Sequence, residues 1–117
     1  MNSELAAAFQ MHQAGRFADA ARSYHALLQR KPRDAETLHL FGVLHYQSGH
    51  HQRAAELIGR AVALRPDAAS YHANLAEAHR AQGEHEQAVA CCRRALALQP
   101  HYPEAANNLA LALQALG

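Results

Sequence analysis

HLFGVLHYQSGHHQRAAELIGRAVALRPDA, residues 39–68, holds a corner at QSGH, a stop at RPD and an apolar run before each. Leu38, Phe41, Gly42 and His45 fall at i, i+3, i+4 and i+7, which places them on one face of a helix over roughly residues 36–48. Gly49 can take the left-handed conformation that ends a helix without a Cβ clash. A second helix over about residues 52–64 must end before Arg65-Pro66, because a residue preceding proline is pushed out of helical geometry. The stretch therefore predicts two helices joined by a tight corner.

The same punctuation recurs at a fixed step. Gly15, Gly49, Gly83 and Gly117 lie 34 residues apart, as do Pro32, Pro66 and Pro100. Ala20, Ala54 and Ala88 share that step, and so do Ala8, Gly42, Ala76 and Ala110. Apolar columns follow in Phe41, Leu75 and Leu109 and in Leu28, Val62 and Leu96. The chain divides into repeats at 1–34, 35–68 and 69–102, with 103–117 as the first helix of a fourth repeat or a capping helix. Asp34 and Asp67 are the expected N-caps of the following helices. Pro103 suits the first turn of the last one. Small residues at Gly42/Ala76 and Ala54/Ala88 let paired helices approach closely. The expected fold is all-α, about seven helices in antiparallel pairs stacked as an α-solenoid.

Composition narrows the function. The 117 residues are 50% hydrophobic with 6% aromatics, a mixture dominated by Ala and Leu that suits close-packed helices. A formal net charge of +1 gives no electrostatic case for nucleic acid. Two adjacent cysteines cannot join distant segments, which favours a reducing, cytoplasmic setting. The N-terminus has no secretory pattern, and no apolar stretch is long enough to cross a membrane.

A helix–turn–helix unit of this length with these columns resembles the tetratricopeptide repeat. Gly42, Gly49, Ala54, Ala61 and Pro66 carry the likeness in the second repeat. Leu75, Ala76, Gly83, Ala88, Ala95 and Pro100 carry it in the third, and Ala8, Gly15, Phe17, Ala20, Tyr24 and Pro32 in the first. Where the family has a large aromatic early in the first helix, this chain has Leu38 or His72. Where the family has a tyrosine further on, it has Met11, His45 or His79. The resemblance implies a right-handed superhelix with the first helices on its concave wall. The RNA-binding pentatricopeptide family has a longer period and different columns, and this chain lacks its basic groove.

His79, His85, Cys91 and Cys92 are of the right types for zinc. In the repeat register, however, His79 aligns with His45 and Met11, His85 with His51 and Phe17, and Cys92 with Ile58 and Tyr24. These are packing columns. Gly83 separates the two histidines across a corner, and adjacent cysteines on a helix point about 100° apart. They are expected to be free thiols, Cys92 buried and Cys91 more exposed, with no metal and no cofactor. No phosphate loop, nucleophile elbow or His-Glu-x-x-His motif is present, so no enzyme activity is expected.

The remaining candidates lie on the first helices, opposite their packing face. They are Phe9, His39, Leu40, Val43, Tyr46, Asn74, Glu77, Arg80, Asn107, Asn108 and Leu111, a wall grading from apolar to polar. An extended or amphipathic peptide with one apolar end fits it. Chaperone-binding members of the family hold a C-terminal carboxylate with Lys, Arg and Asn at places that here carry Leu5, Phe9, Leu40, Ser70 and Asn74. Only one matches. ANLAEA from Ala73 and NNLALA from Asn107 are instead similar to repeats of O-linked N-acetylglucosamine transferases and bacterial relatives. Their asparagine ladder matches Asn74 and Asn108 and is broken at Ala6 and Leu40. The reading is a non-enzymatic protein- or peptide-binding scaffold of bacterial style. Its alternatives are a substrate-recruiting segment of a larger enzyme such as a glycosyltransferase, or a self-assembling unit. Leu109, Leu113 and Leu116 on the last helix call for further repeats or for self-association.

Overall fold

The computed structural model describes residues 2–117 as helices α1 (Ser3–Gln13), α2 (Phe17–Arg30), α3 (Ala35–Gln47), α4 (His51–Leu64), α5 (Ala69–Ala81), α6 (His85–Leu98) and α7 (Pro103–Leu116). The chain is an all-α solenoid, 42 Å in its longest dimension. Both helices of the second repeat lie within a residue of their expected ends. Gly15, Gly49 and Gly83 close the corners at φ +80°, +84° and +76°. A side chain rarely adopts that geometry, which explains why the step of 34 is held by glycine.

The capping expectation is corrected in part. Asp34 is the N-cap residue of α3, but its side chain caps no backbone N–H; its Oδ2 accepts from the Thr37 hydroxyl at 2.7 Å. Asp67 lies outside α5, whose N-cap is Ala68. The side-chain cap that does form is on α1, where Asn2 Oδ1 accepts from the Leu5 N–H at 2.7 Å.

Each first helix packs on the second helix of its own repeat, and each second helix on the next first helix. Successive first helices also touch, α1 on α3, α3 on α5 and α5 on α7, whereas among the described residues α2 and α4, or α4 and α6, do not. Close approach on one side and separation on the other bends the stack. The first helices therefore form the concave wall.

Pairing within a repeat depends on how closely two side chains can approach at one helix crossing. A Cβ placed on Gly42 would lie 2.5 Å from Ile58 Cγ1 and 3.3 Å from the Ala54 carbonyl oxygen. In the third repeat the corresponding pair is Ala76 and Cys92, both fully buried in one cluster. In the first it is Ala8 and Tyr24. The first helix offers a small residue at every crossing, while its partner on the second helix ranges from Cys92 through Ile58 to Tyr24.

The histidine columns sort into two groups. His45, His51, His79 and His85 are only partly buried. The buried histidines are His12, His39 and His72. His72 fills the Leu38 column and donates from Nε2 to the Pro66 carbonyl at 2.8 Å.

Candidate functional site

The concave wall is built by α1, α3, α5 and α7, and its hydrogen bonds run from repeat to repeat. Tyr71 donates to Glu36 Oε2 at 2.9 Å, and Arg65 reaches the same tyrosine oxygen at 3.3 Å. Burial, then the Glu36 carboxylate, pushes the Tyr71 phenol up to about 12, so it stays a donor. The His39 ring stacks on Tyr71 with centroids 4.3 Å apart, and its Nε2 meets Asn74 Nδ2 at 2.8 Å. With the Asn74 amide donating, Nε2 accepts and the neutral ring carries its proton on Nδ1, which is buried without a partner. Burial holds the imidazole down at about 4, against a smaller opposing pull from Glu36. One repeat further on, Asn108 donates to Glu77 Oε1 at 3.3 Å.

At the other end of α1, His12 sits edge-on to Phe9, Phe17 and Tyr24. Its Nδ1 accepts from the Tyr24 hydroxyl at 2.9 Å, and its Nε2 donates to Gln47 Oε1 at 2.7 Å. Both ring nitrogens are thereby satisfied, and the first two repeats are tied together across the wall.

Three hollows open along this surface. One of about 330 Å³ lies between Phe9, His12, Phe17, Val43 and Gln47. A second, about 200 Å³, lies between Val43, Tyr46, Gln47, Ile58, Asn74 and Glu77. They share Val43 and Gln47, so they form one trough. The third and largest, about 810 Å³, lies where α1 and α3 begin, among Leu5, Lys31, Arg33, Asp34, Glu36 and Arg65.

Of the residues singled out in the sequence, Phe9, Val43, Tyr46, Asn74 and Glu77 line the trough. His39 and Asn108 are buried, bonded groups outside its lining, and Leu40 is 7% exposed within the main core. Arg80 is half-buried, Asn107 is exposed, and Leu111 on α7 is 38% exposed. Sequence reasoning placed Gln47 on the concave face, passed over Phe17 and Ile58 as lining groups and missed the cations Lys31 and Arg33 of the third hollow. A signal was present, since Lys31 and Arg65 occupy one column of the period, immediately before Pro32 and Pro66.

The four residues of zinc-ligand type are dispersed. His79 Nδ1 lies 2.9 Å from Glu84 Oε1, and Cys92 is fully buried. Both cysteines are free, and burial pushes the Cys91 thiol up to about 11. Among the described residues no group of three or more His, Cys, Asp or Glu is placed to hold a metal ion, and no helix is long and apolar enough to cross a membrane.

The profile of the tetratricopeptide repeat matches residues 39–103 and 81–117. The chain belongs to the tetratricopeptide repeat family. Among solved structures, these repeats are similar to those of a mutant O-GlcNAc transferase of Thermobaculum terrenum, at 38% identity and TM-score 0.89, over 95% of this chain and 21% of that one. They are also similar to MamA, at 26% identity and TM-score 0.90 over all of this chain and 66% of that one. A third likeness is the first tetratricopeptide domain of Spaghetti (RPAP3) bound to an HSP90 peptide. That match has TM-score 0.93 and 21% identity over 97% of this chain and 90% of that one, and it shows the fold. The chain spans about a fifth of the transferase. No curated protein matches it by sequence.

Proposed function

We propose that this repeat array is a non-enzymatic binding module that holds an extended protein segment along its concave wall. The observation that carries the reading is the trough through Val43, where two hollows sized for side chains adjoin at Val43 and Gln47. Apolar lining from Phe9, Phe17 and Val43 gives affinity, because burying such surface is favourable at roughly 25 cal/mol per Å². Asn74 and Asn108 present amide oxygens left unused by their bonds to His39 and Glu77. Those oxygens suit the backbone N–H groups of an extended chain. The peptide-bound relative supports the mode, although the residues in its place here differ. Free thiols favour a reducing compartment such as the cytoplasm.

The test uses a photo-crosslinking residue at Gln47, with the captured partner identified and its yield compared between variants. Asn74→Ala combined with Tyr46→Ala should lower capture about tenfold while helicity by circular dichroism stays unchanged. Undiminished capture would sink the reading.

A second reading rests on the likeness to the transferase repeats. In it, the array recruits substrate for a larger enzyme, and the reading frame around the gene would decide. A third is self-assembly, favoured by Leu111, Leu113 and Leu116 on α7 at 38%, 42% and 48% exposure. Light scattering that reports only monomer across a hundredfold dilution would remove it.

A further inference from the structure

The hollow at the groove mouth differs in chemistry from the trough. Lys31 and Arg33 come from the α2–α3 connection and Arg65 from the α4–α5 connection, so three cations converge on one cavity of about 810 Å³. Its two carboxylates are already engaged. Asp34 accepts from Thr37, and Glu36 accepts from Tyr71 with Arg65 at 4.0 Å. The neighbouring Arg30 pairs with Glu4. Among the described residues Lys31 and Arg33 take part in no ion pair, and both are exposed.

Resting on the groove reading, we infer that the mouth takes a carboxylate side chain of the bound segment, so that the partner is an acidic and apolar peptide. The spacing follows from α3. Glu36 at the mouth and Val43 in the trough are seven residues apart. That is about 10 Å at the helical rise. An extended chain covers it in about three residues. The recognised pattern is an apolar side chain with Asp or Glu about three positions away. Arg33 and Arg65 provide planar forks that match a carboxylate. A nucleic acid fits poorly, because three cations gather in one hollow that also holds Asp34 and Glu36, and beyond it Arg80 is accompanied by Glu77, so no continuous basic track follows the wall.

Fluorescence anisotropy with fluorescein-labelled synthetic peptides tests this directly. The peptides carry Leu and Asp three positions apart, Leu and Asn three positions apart, or Leu and Asp adjacent. The first should bind about fivefold tighter than either other. That preference should disappear in 0.5 M salt and in the doubly substituted Lys31→Gln/Arg33→Gln protein. Equal binding of the Asp and Asn peptides overturns the inference, as does a preference that ignores spacing or survives the double substitution. Binding of none of the three at millimolar concentration also overturns it. Saturable binding of inorganic phosphate that leaves peptide affinity unchanged identifies an adventitious anion site only. The groove reading is separable: Asn74→Ala with Tyr46→Ala weakens Asp and Asn peptides alike, whereas Lys31→Gln/Arg33→Gln removes only the difference between them.

Discussion

In the second repeat, Leu38, Leu57 and Ile58 fill the space between α3 and α4, and all three are fully buried. At the same places of the third repeat stand His72, Cys91 and Cys92. The backbone period is identical, yet the N-terminal half has one continuous core of Leu, Phe and Tyr, while the C-terminal half has two small clusters rich in alanine. What is held constant is geometry: the glycine corner, the proline stop and a small first-helix residue at each helix crossing. Apolar content is free to vary. The trough and the cation-lined mouth lie on the half with the larger core, where rigid packing can hold their side chains in place.

The sharpest way to break this comparison is a pair of substitutions in one column. Leu38→Ala should cost about 2–5 kcal/mol, the range for emptying a fully buried leucine site. His72→Leu keeps the volume and removes the bond to Pro66, so it should cost only about 0.5–1.5 kcal/mol. Urea unfolding of the two variants measures both. Equal losses would show that the halves do not differ in how their cores carry stability.

The exchange of Gly42 and Ile58 for Ala76 and Cys92 between the second and third repeats is testable at the closest helix contact. Gly42→Ala sets a methyl against Ile58 and should cost about 1–3 kcal/mol, as overpacking does. Adding Ile58→Cys reproduces the Ala76/Cys92 pair of the next repeat. The double variant should therefore be less destabilised than the sum of the two single ones. Additivity within error would mean that the crossing relaxes by another route.

These contrasts also define what was legible in the sequence. The period, the corners and the helix pairs could be read because glycine and proline act locally, through backbone sterics at a single residue. The concave position of Val43, Tyr46 and Asn74 could be read because helical spacing fixes which face a residue occupies. Leu40 and His39 illustrate the limit. They share that face, yet Tyr71 and Asn74 of α5 cover His39 and Leu40 sinks into the main core, and how deeply a helix sinks against its neighbours is a tertiary property. The caps failed for a related reason, since Asp34 had a nearer partner in Thr37. Lys31, Arg33 and Arg65 stayed hidden because net charge averages over the chain, whereas the fold gathers cations from two connections into one hollow.

His39 carries the smallest of these effects and the only one that depends on pH. The folded chain holds its ring neutral down to about 4, against an ordinary value of 6.5, because burial disfavours the imidazolium more than Glu36 favours it. Between those values the unfolded chain binds the extra proton, so the stabilisation is present above pH 6.5 and is lost as pH falls towards 4. The loss between pH 6.5 and 5.5 is about 1 kcal/mol. His45 on the same helix is lowered too, by burial and then by His50 and Arg53, and adds in the same direction. His39→Gln retains an acceptor for Asn74 and cannot titrate. Its melting temperature should therefore fall less steeply than that of the parent over this range, while still falling through His45. An unchanged slope would place the proton uptake elsewhere and would mean that the wall between α3 and α5 opens to water more readily than its buried ring implies.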